Sequence, residues 1–74
     1  MAVVTSALTP RELDVLKLAA LGLTDAQIAC ELHRRDGRPL SEDSVGHVMA
    51  SACRKLGASS RTHAVAIAVR AGAA

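Results

Sequence analysis

The chain has 74 residues and a formal net charge of +2, and it lacks Phe, Tyr and Trp although half of its residues are hydrophobic. This length allows one small domain with a modest core, and the alanine-rich aliphatic composition favours closely packed helices. The low charge permits a nucleic-acid partner without requiring one. Two cysteines are too few for a disulfide framework, and the sequence shows no signal peptide or membrane-spanning run. We therefore expect a cytoplasmic protein with reduced thiols and no membrane contact.

One local pattern marks three helix starts. An apolar residue precedes Ser or Thr, and a second apolar residue follows four positions after that hydroxyl residue. The pattern is typical of a hydrophobic staple, with the hydroxyl as the N-cap that accepts from free backbone N–H groups. It occurs at Leu8-Thr9 with Leu13, at Leu23-Thr24 with Ile28 and at Leu40-Ser41 with Val45. Glu12 and Gln27 stand three residues after their caps, so the first two starts are predicted to be complete capping boxes.

Turn residues predict where the helices end. The first helix is expected over about 10–21, the second over about 25–34, the third over about 42–56 and the fourth from near Ser60 to about Arg70. The segment "HRRDGRP", residues 33–39, is predicted to be a basic loop rather than a continuation of the second helix. In that loop Asp36 and Gly37 would form the turn, and Pro39 would stiffen its exit.

The third and fourth helices differ in their patterning. Apolar residues of the third helix recur at helical spacing at Val45, Met49, Ala52 and Leu56, which predicts one buried face. The fourth helix, around "AVAIAV", is apolar on nearly every side. A terminal helix of a small domain cannot be covered all round, so this pattern favours a contact with a second chain.

Taken in order, several motifs resemble the LuxR-type helix-turn-helix domain. They are "LTPRELDVLKLAALGLTDAQIACEL", "LSEDSV" and "RKLGASSRTHAVAIAVRAG", and together they cover the chain from Leu8 to about Gly72. On this resemblance we expect an N-terminal tail over 1–7, the helix-turn-helix domain over 8–72 and a C-terminal tail over 73–74. Each motif alone is weak, but the ordered set is specific.

The resemblance implies an all-α fold: a compact four-helix domain with an extended turn between helices 2 and 3. It also implies that helix 3 enters the major groove of double-stranded DNA, where base edges are distinguishable. Helix 4 would pair with the same helix of a second copy or of a related regulator. The transcription machinery is a further candidate partner.

Two features depart from the family pattern. The first is the loop "HRRDGRP", which lengthens the turn itself. The second is the recognition helix, where Gly46 stands in place of a customary Lys, Val48 in place of a customary His, and Ala50 at a position that is often basic or polar. His47 partly replaces the lost hydrogen-bonding groups. We therefore predict that some of the affinity for phosphates has moved to the arginines of the loop.

The predicted sites have structural alternatives. His47 could be an ordinary surface histidine, Arg54 and Lys55 could interact with the helix dipole, Thr24 could act only as a cap, Arg61 could be structural, and the arginine loop could be a solvated spacer. The predicted DNA-binding residues are Thr24, Arg34, Arg35, Arg38, Ser44, His47, Ser51, Arg54, Lys55 and Arg61. The predicted dimer contact comprises Val65, Ala68 and Val69.

The sequence shows neither a zinc-ligand spacing nor a nucleophile–base motif. We therefore expect no metal, no cofactor and no catalysis. Two functions remain open. In the first, the protein is a free-standing, dimeric, sequence-specific DNA-binding transcription regulator. In the second, it keeps the fold but acts as an adapter or anti-activator that binds another regulator, an alternative that the depleted recognition helix favours.

Overall fold

A computed structural model describes residues 7–37 and 40–72. These residues form four helices: α1 (Pro10–Ala20), α2 (Asp25–Asp36), α3 (Glu42–Leu56) and α4 (Arg61–Arg70). The all-α, four-helix architecture predicted from the sequence is confirmed. No described helix is long and apolar enough to cross a membrane.

Both predicted capping boxes are present. The Thr9 hydroxyl accepts from the Glu12 backbone N–H at 3.2 Å, and the Glu12 carboxylate accepts from the Thr9 backbone N–H at 2.7 Å. Thr24 and Gln27 repeat the arrangement at the start of α2, with distances of 3.3 and 2.9 Å. Each box satisfies backbone donors that have no partner inside the helix, so the start of each helix is fixed by local chemistry.

Serine hydroxyls cap the other two helices. Ser41 accepts from the Ser44 backbone N–H at 3.1 Å, which confirms the predicted cap of α3. Ser60 accepts from the His63 backbone N–H at 3.1 Å, so α4 begins at Arg61. The Nδ1 atom of His63 in turn accepts from the Ser59 backbone N–H at 3.1 Å.

The core is aliphatic and draws on all four helices. Val15 and Leu16 of α1, Ile28 and Leu32 of α2, and Val45 of α3 are the largest side chains that are fully buried. The predicted buried face of α3 is confirmed, since Val45, Met49, Ala52 and Leu56 are all buried. From α4 the core takes Ala64 and Ala68, whose short side chains let that helix approach closely.

The second helix is longer than the sequence analysis predicted. It continues through Asp36, and Gly37 ends it in the left-handed region with φ of 72°. The predicted helix end near residue 34 is therefore two residues too early, and the basic segment predicted as a loop is helical through Asp36. Arg38 and Pro39 lie outside the described residues, so the predicted role of Pro39 stays a prediction.

Ion pairs favour the additional helical residues. Within α2, Glu31 binds Arg34 at 3.0 Å and Arg35 at 3.3 Å, at the spacings of three and four residues that place side chains on one helical face. Between helices, Arg11 binds Asp36 at 2.6 Å and joins the start of α1 to the end of α2. The cations also lie at the end of the helix where they favour its dipole.

Candidate nucleic-acid interface

A stripe of exposed side chains runs along α3, directly opposite the face that packs on the core. It consists of Asp43, His47, Ala50 and Arg54, and we call it the α3 stripe. Successive members are four, three and four residues apart, so they align along one side of the helix. The stripe includes two of the predicted DNA-binding residues, His47 and Arg54. It is the face of α3 that a partner can reach.

Gly46 lies beside the stripe and leaves open space there. A Cβ atom built at Gly46 would meet nothing within 4 Å, and the backbone there is ordinary helix. Packing therefore does not require a glycine at this position. The positive charge that the family pattern places there is simply missing from this surface.

Ser44 takes part in the cap of its own helix. Its hydroxyl lies 3.0 Å from the Ser41 hydroxyl, and its backbone N–H donates to that same oxygen. The side chain is half-buried. The structure therefore gives Ser44 a structural role, and its contact with DNA stays a prediction.

Two other predicted DNA-binding residues of α3 hold a buried carboxylate. Lys55 donates to Glu12 at 2.8 Å across 43 residues of sequence, and Ser51 lies close enough for its hydroxyl to favour the charged form of the same carboxyl. The Glu12 side chain is only 5% exposed, whereas that of Lys55 is 34% exposed. We call Glu12, Ser51 and Lys55 the buried cluster. It ties the C-terminal half of α3 to the capping box of α1, so Lys55 has a structural partner although its side chain stays a third exposed.

The electrostatics of the buried cluster favour an ionised Glu12. Burial by itself raises the pKa of this carboxyl, because it removes water from the charged form. Hydrogen bonds from Lys55, Ser51 and the Thr9 backbone outweigh burial and lower the pKa to about 2. Glu12 is consequently a permanent anion that holds Lys55 in place at neutral pH.

Arg61 connects the starts of α4 and α2. Its guanidinium forms an ion pair with Asp25 and donates to the Leu23 carbonyl at 3.2 Å. These bonds give Arg61 a structural role, while its contact with DNA stays a prediction. The bonds also steady the segment that carries Thr24, which is exposed at the N-terminus of α2. A helix N-terminus with an exposed hydroxyl suits a phosphate group.

Arg34 and Arg35 remain accessible although each is paired with Glu31. Their side chains are 74% and 52% exposed. Each uses one guanidinium nitrogen toward Glu31, which leaves further N–H donors free for another oxygen. The structure thus places both arginines at the end of α2, next to the connection that leads into α3.

The charged side chains without an ion-pair partner are unevenly distributed over α2 and α3, the helix-turn-helix pair. Among residues 25–37 and 40–56, Arg54 is the basic side chain without a carboxylate partner, and the acidic side chains without a cation are Glu42 and Asp43. The first turn of α3 is therefore acidic and its last turn basic. This polarity agrees with the helix dipole, but it places negative charge at the end that helix-turn-helix proteins direct into the groove.

The predicted dimer contact needs one correction. Ala68 is fully buried in the core of its own domain, so it has no surface left for a second chain and its assignment to the contact is wrong. Val69 is 50% exposed, and Val65 is half-buried against the core. The side of α4 that carries Val69 is the one available to a partner.

Metal coordination has no support in the described part of the chain. Across residues 7–37 and 40–72, no three His, Cys, Asp or Glu side chains gather in an arrangement that could hold an ion. Cys30 is exposed and Cys53 is half-buried, and both are free thiols.

Four capped helices, with α2 and α3 in sequence and an exposed stripe on α3, define a helix-turn-helix domain. Residues 6–68 match the family model described as bacterial regulatory proteins, luxR family. The chain belongs to this family, which is one of DNA-binding regulatory domains. The resemblance noted in the sequence is thereby confirmed.

Two curated relatives are similar over most of the chain. The response regulator RamR of Streptomyces coelicolor is 46% identical over 65 residues, which are 88% of this chain and 29% of that protein. The transcriptional activator protein BjaR1 of Bradyrhizobium diazoefficiens is 41% identical over 63 residues, which are 85% of this chain and 24% of that protein. The chain thus spans less than a third of the length of either relative. No solved structure matches it.

Proposed function

We propose that the chain acts in transcription regulation by binding double-stranded DNA, with the α3 stripe in the major groove. The observation that carries this proposal is the stripe itself. A row of solvent-exposed side chains on the second helix of a helix-turn-helix pair lies opposite a fully packed face. The major groove of B-DNA accepts one such helix, with its exposed side chains against the base edges. The relatives, named as a response regulator and a transcriptional activator, support the same role.

His47 provides the first test, since it lies at the centre of the stripe. Its ring can donate to or accept from a base edge or a phosphate. We expect His47→Ala to weaken binding to a preferred duplex several-fold more than binding to random DNA, measured by fluorescence anisotropy. Equal losses on both duplexes would indicate a phosphate contact.

The matched control is His33→Ala. His33 is also exposed but lies on α2, away from the stripe. It should leave the preference for the selected duplex over random DNA unchanged. If His47→Ala behaves as His33→Ala does, His47 is an ordinary surface residue and the proposed reading role is wrong.

The proposed dimer uses the exposed side of α4. Val69→Arg puts a charge at the large exposed apolar residue of that side. We therefore expect the apparent mass in sedimentation to fall to that of a monomer while helical content stays the same. The control is Leu21→Arg, which should keep the wild-type apparent mass. Leu21 is the other large apolar residue of the described chain that is well exposed, at 75%. A wild-type chain that remains monomeric at high concentration would contradict the dimer.

An adapter function is the second candidate, and the charge distribution favours it. The acidic first turn of α3 and the missing charge at Gly46 both weaken attraction to phosphates. In this alternative α3 or α4 would bind a related regulator, or the chain would contact the transcription machinery. Mobility shifts with genomic fragments at low and moderate salt separate the two candidates, since an adapter gives no shift at either salt concentration.

A further inference from the structure

The structure points to a specific role for an acidic residue on the DNA-facing surface. Asp43 is exposed, lies on the α3 stripe and has no cation partner among the described residues. Glu12, Asp25, Glu31 and Asp36, by contrast, each bind a Lys or Arg side chain. The helix dipole favours a carboxylate in this turn, as Glu42 also provides. On the stripe, however, a free carboxylate repels phosphates unless it accepts a hydrogen bond from a base.

We propose that Asp43 reads cytosine in the major groove, an inference that rests on the proposed function. A carboxylate only accepts hydrogen bonds, so it requires a donor on the base edge. In the major groove the donors are the cytosine N4 amine and the adenine N6 amine, and carboxylates pair with the cytosine amine. Guanine and thymine present acceptors at the corresponding positions, which a carboxylate repels.

The position of Asp43 on the helix supports this role. Asp43 lies in the first turn of α3, and the N-terminal residues of a recognition helix are those that contact base edges. It precedes His47 by one helical turn on the same stripe. His47 and Asp43 would therefore face neighbouring bases, one able to donate and the other only to accept.

Glu42 is a neighbouring carboxylate that does not share this geometry. It is also exposed and also free of a cation among the described residues, but it lies about 100° around the helix from Asp43. The two residues thus carry equal charge and differ in direction. This difference gives a matched control for the test.

The test is selection of preferred duplexes from a randomised pool, followed by affinity measurements on the selected site. Wild-type protein should enrich one position of each half-site in cytosine. Replacing that cytosine by an analogue without the N4 amine should weaken wild-type binding roughly tenfold, the scale of one base contact. Asp43→Asn should lose the preference for cytosine and shift it toward adenine, with which an amide side chain pairs.

Glu42→Gln removes the same charge and should raise affinity for every duplex alike without changing the enriched bases. If Asp43→Asn behaves in that way too, Asp43 is only a repelling charge and the inference is overturned. If the proteins bind duplexes but enrich no sequence, the inference alone is overturned, whereas no binding to any duplex would overturn the proposed DNA-binding function together with it. A cytosine preference that survives Asp43→Asn would overturn the inference alone.

Discussion

Glu12→Gln is expected to lower the free energy of unfolding by about 3 kcal/mol at pH 7, the scale set by the depressed pKa of this carboxyl. Gln keeps the acceptor that the capping box needs, as Gln27 shows in α2. The substitution therefore removes the charge that binds Lys55 and leaves the cap intact. Chemical denaturation of both proteins, monitored by circular dichroism, measures the difference.

The pH dependence of this difference has a defined sign. The pKa of Glu12 is lowered from 4.5 to about 2 in the folded chain, so the charge contributes its full stability above pH 4.5. That contribution is lost as the pH falls from 4.5 toward 2, because the unfolded chain then takes up a proton that the folded chain does not. The stabilities of wild type and Glu12→Gln should therefore converge over this window.

The control for this experiment is Glu42→Gln, which removes a carboxylate from an exposed first-turn position. It should cost less than about 1 kcal/mol, the scale of an exposed interaction with the helix dipole. A Glu12→Gln protein that matches this control at pH 7, or whose deficit persists at pH 2, would contradict the account of the buried cluster.

Replacing Arg34 and Arg35 together by Ala should weaken binding to every DNA sequence. Both guanidinium groups are exposed at the end of α2, next to the connection into α3. If each neutralises one phosphate, the slope of log affinity against log salt should fall by about 0.9 per arginine, or about 1.8 in all. Anisotropy titrations across a series of salt concentrations give both the affinity and the slope.

Two controls separate this effect from general charge and from folding. Lys17→Ala removes one positive charge from α1, outside the helix-turn-helix pair, and should leave the slope unchanged. Glu31→Gln frees both arginines from their shared carboxylate and should strengthen binding. An unaltered affinity and slope in the double arginine variant would instead make the end of α2 a spacer or a surface for a protein partner. Arg38→Ala, added as a third substitution, extends the test to the remaining arginine of the predicted loop.

The sequence predicted the helix starts well because their chemistry is local. A cap and its box lie within four residues, so Thr9 with Glu12 and Thr24 with Gln27 can be recognised without any tertiary information. The buried face of α3 was equally predictable, since its apolar residues recur every three or four positions. These features set the fold and the direction of the α3 stripe.

The end of α2 was predicted wrongly because Asp-Gly normally indicates a turn. The pairs of Glu31 with Arg34 and Arg35 could have been found from their spacing alone. The pair of Arg11 with Asp36 could not, because it joins distant parts of the chain. Here a tertiary contact supports a helical turn that local signals oppose.

The long-range bonds of predicted site residues were also hidden from the sequence. Lys55 and Glu12 are 43 residues apart, and Arg61 and Asp25 are 36 residues apart. A basic residue that closes a recognition helix looks the same whether it binds a phosphate or a buried carboxylate. Ala68 was misplaced for a related reason, since a helix composed of Ala, Val and Ile has too little contrast between its faces to show which one is buried.

The central claim is that DNA lies along the α3 stripe, and amide chemical-shift mapping with a selected duplex tests it most directly. Addition of the duplex should shift the amide signals of the first two turns of α3 and of the N-terminus of α2. The signals around Lys17, within α1 and away from both helix starts, should stay in place. Shifts confined to α4 and the end of α1, or no shifts at saturating duplex, would contradict the claim.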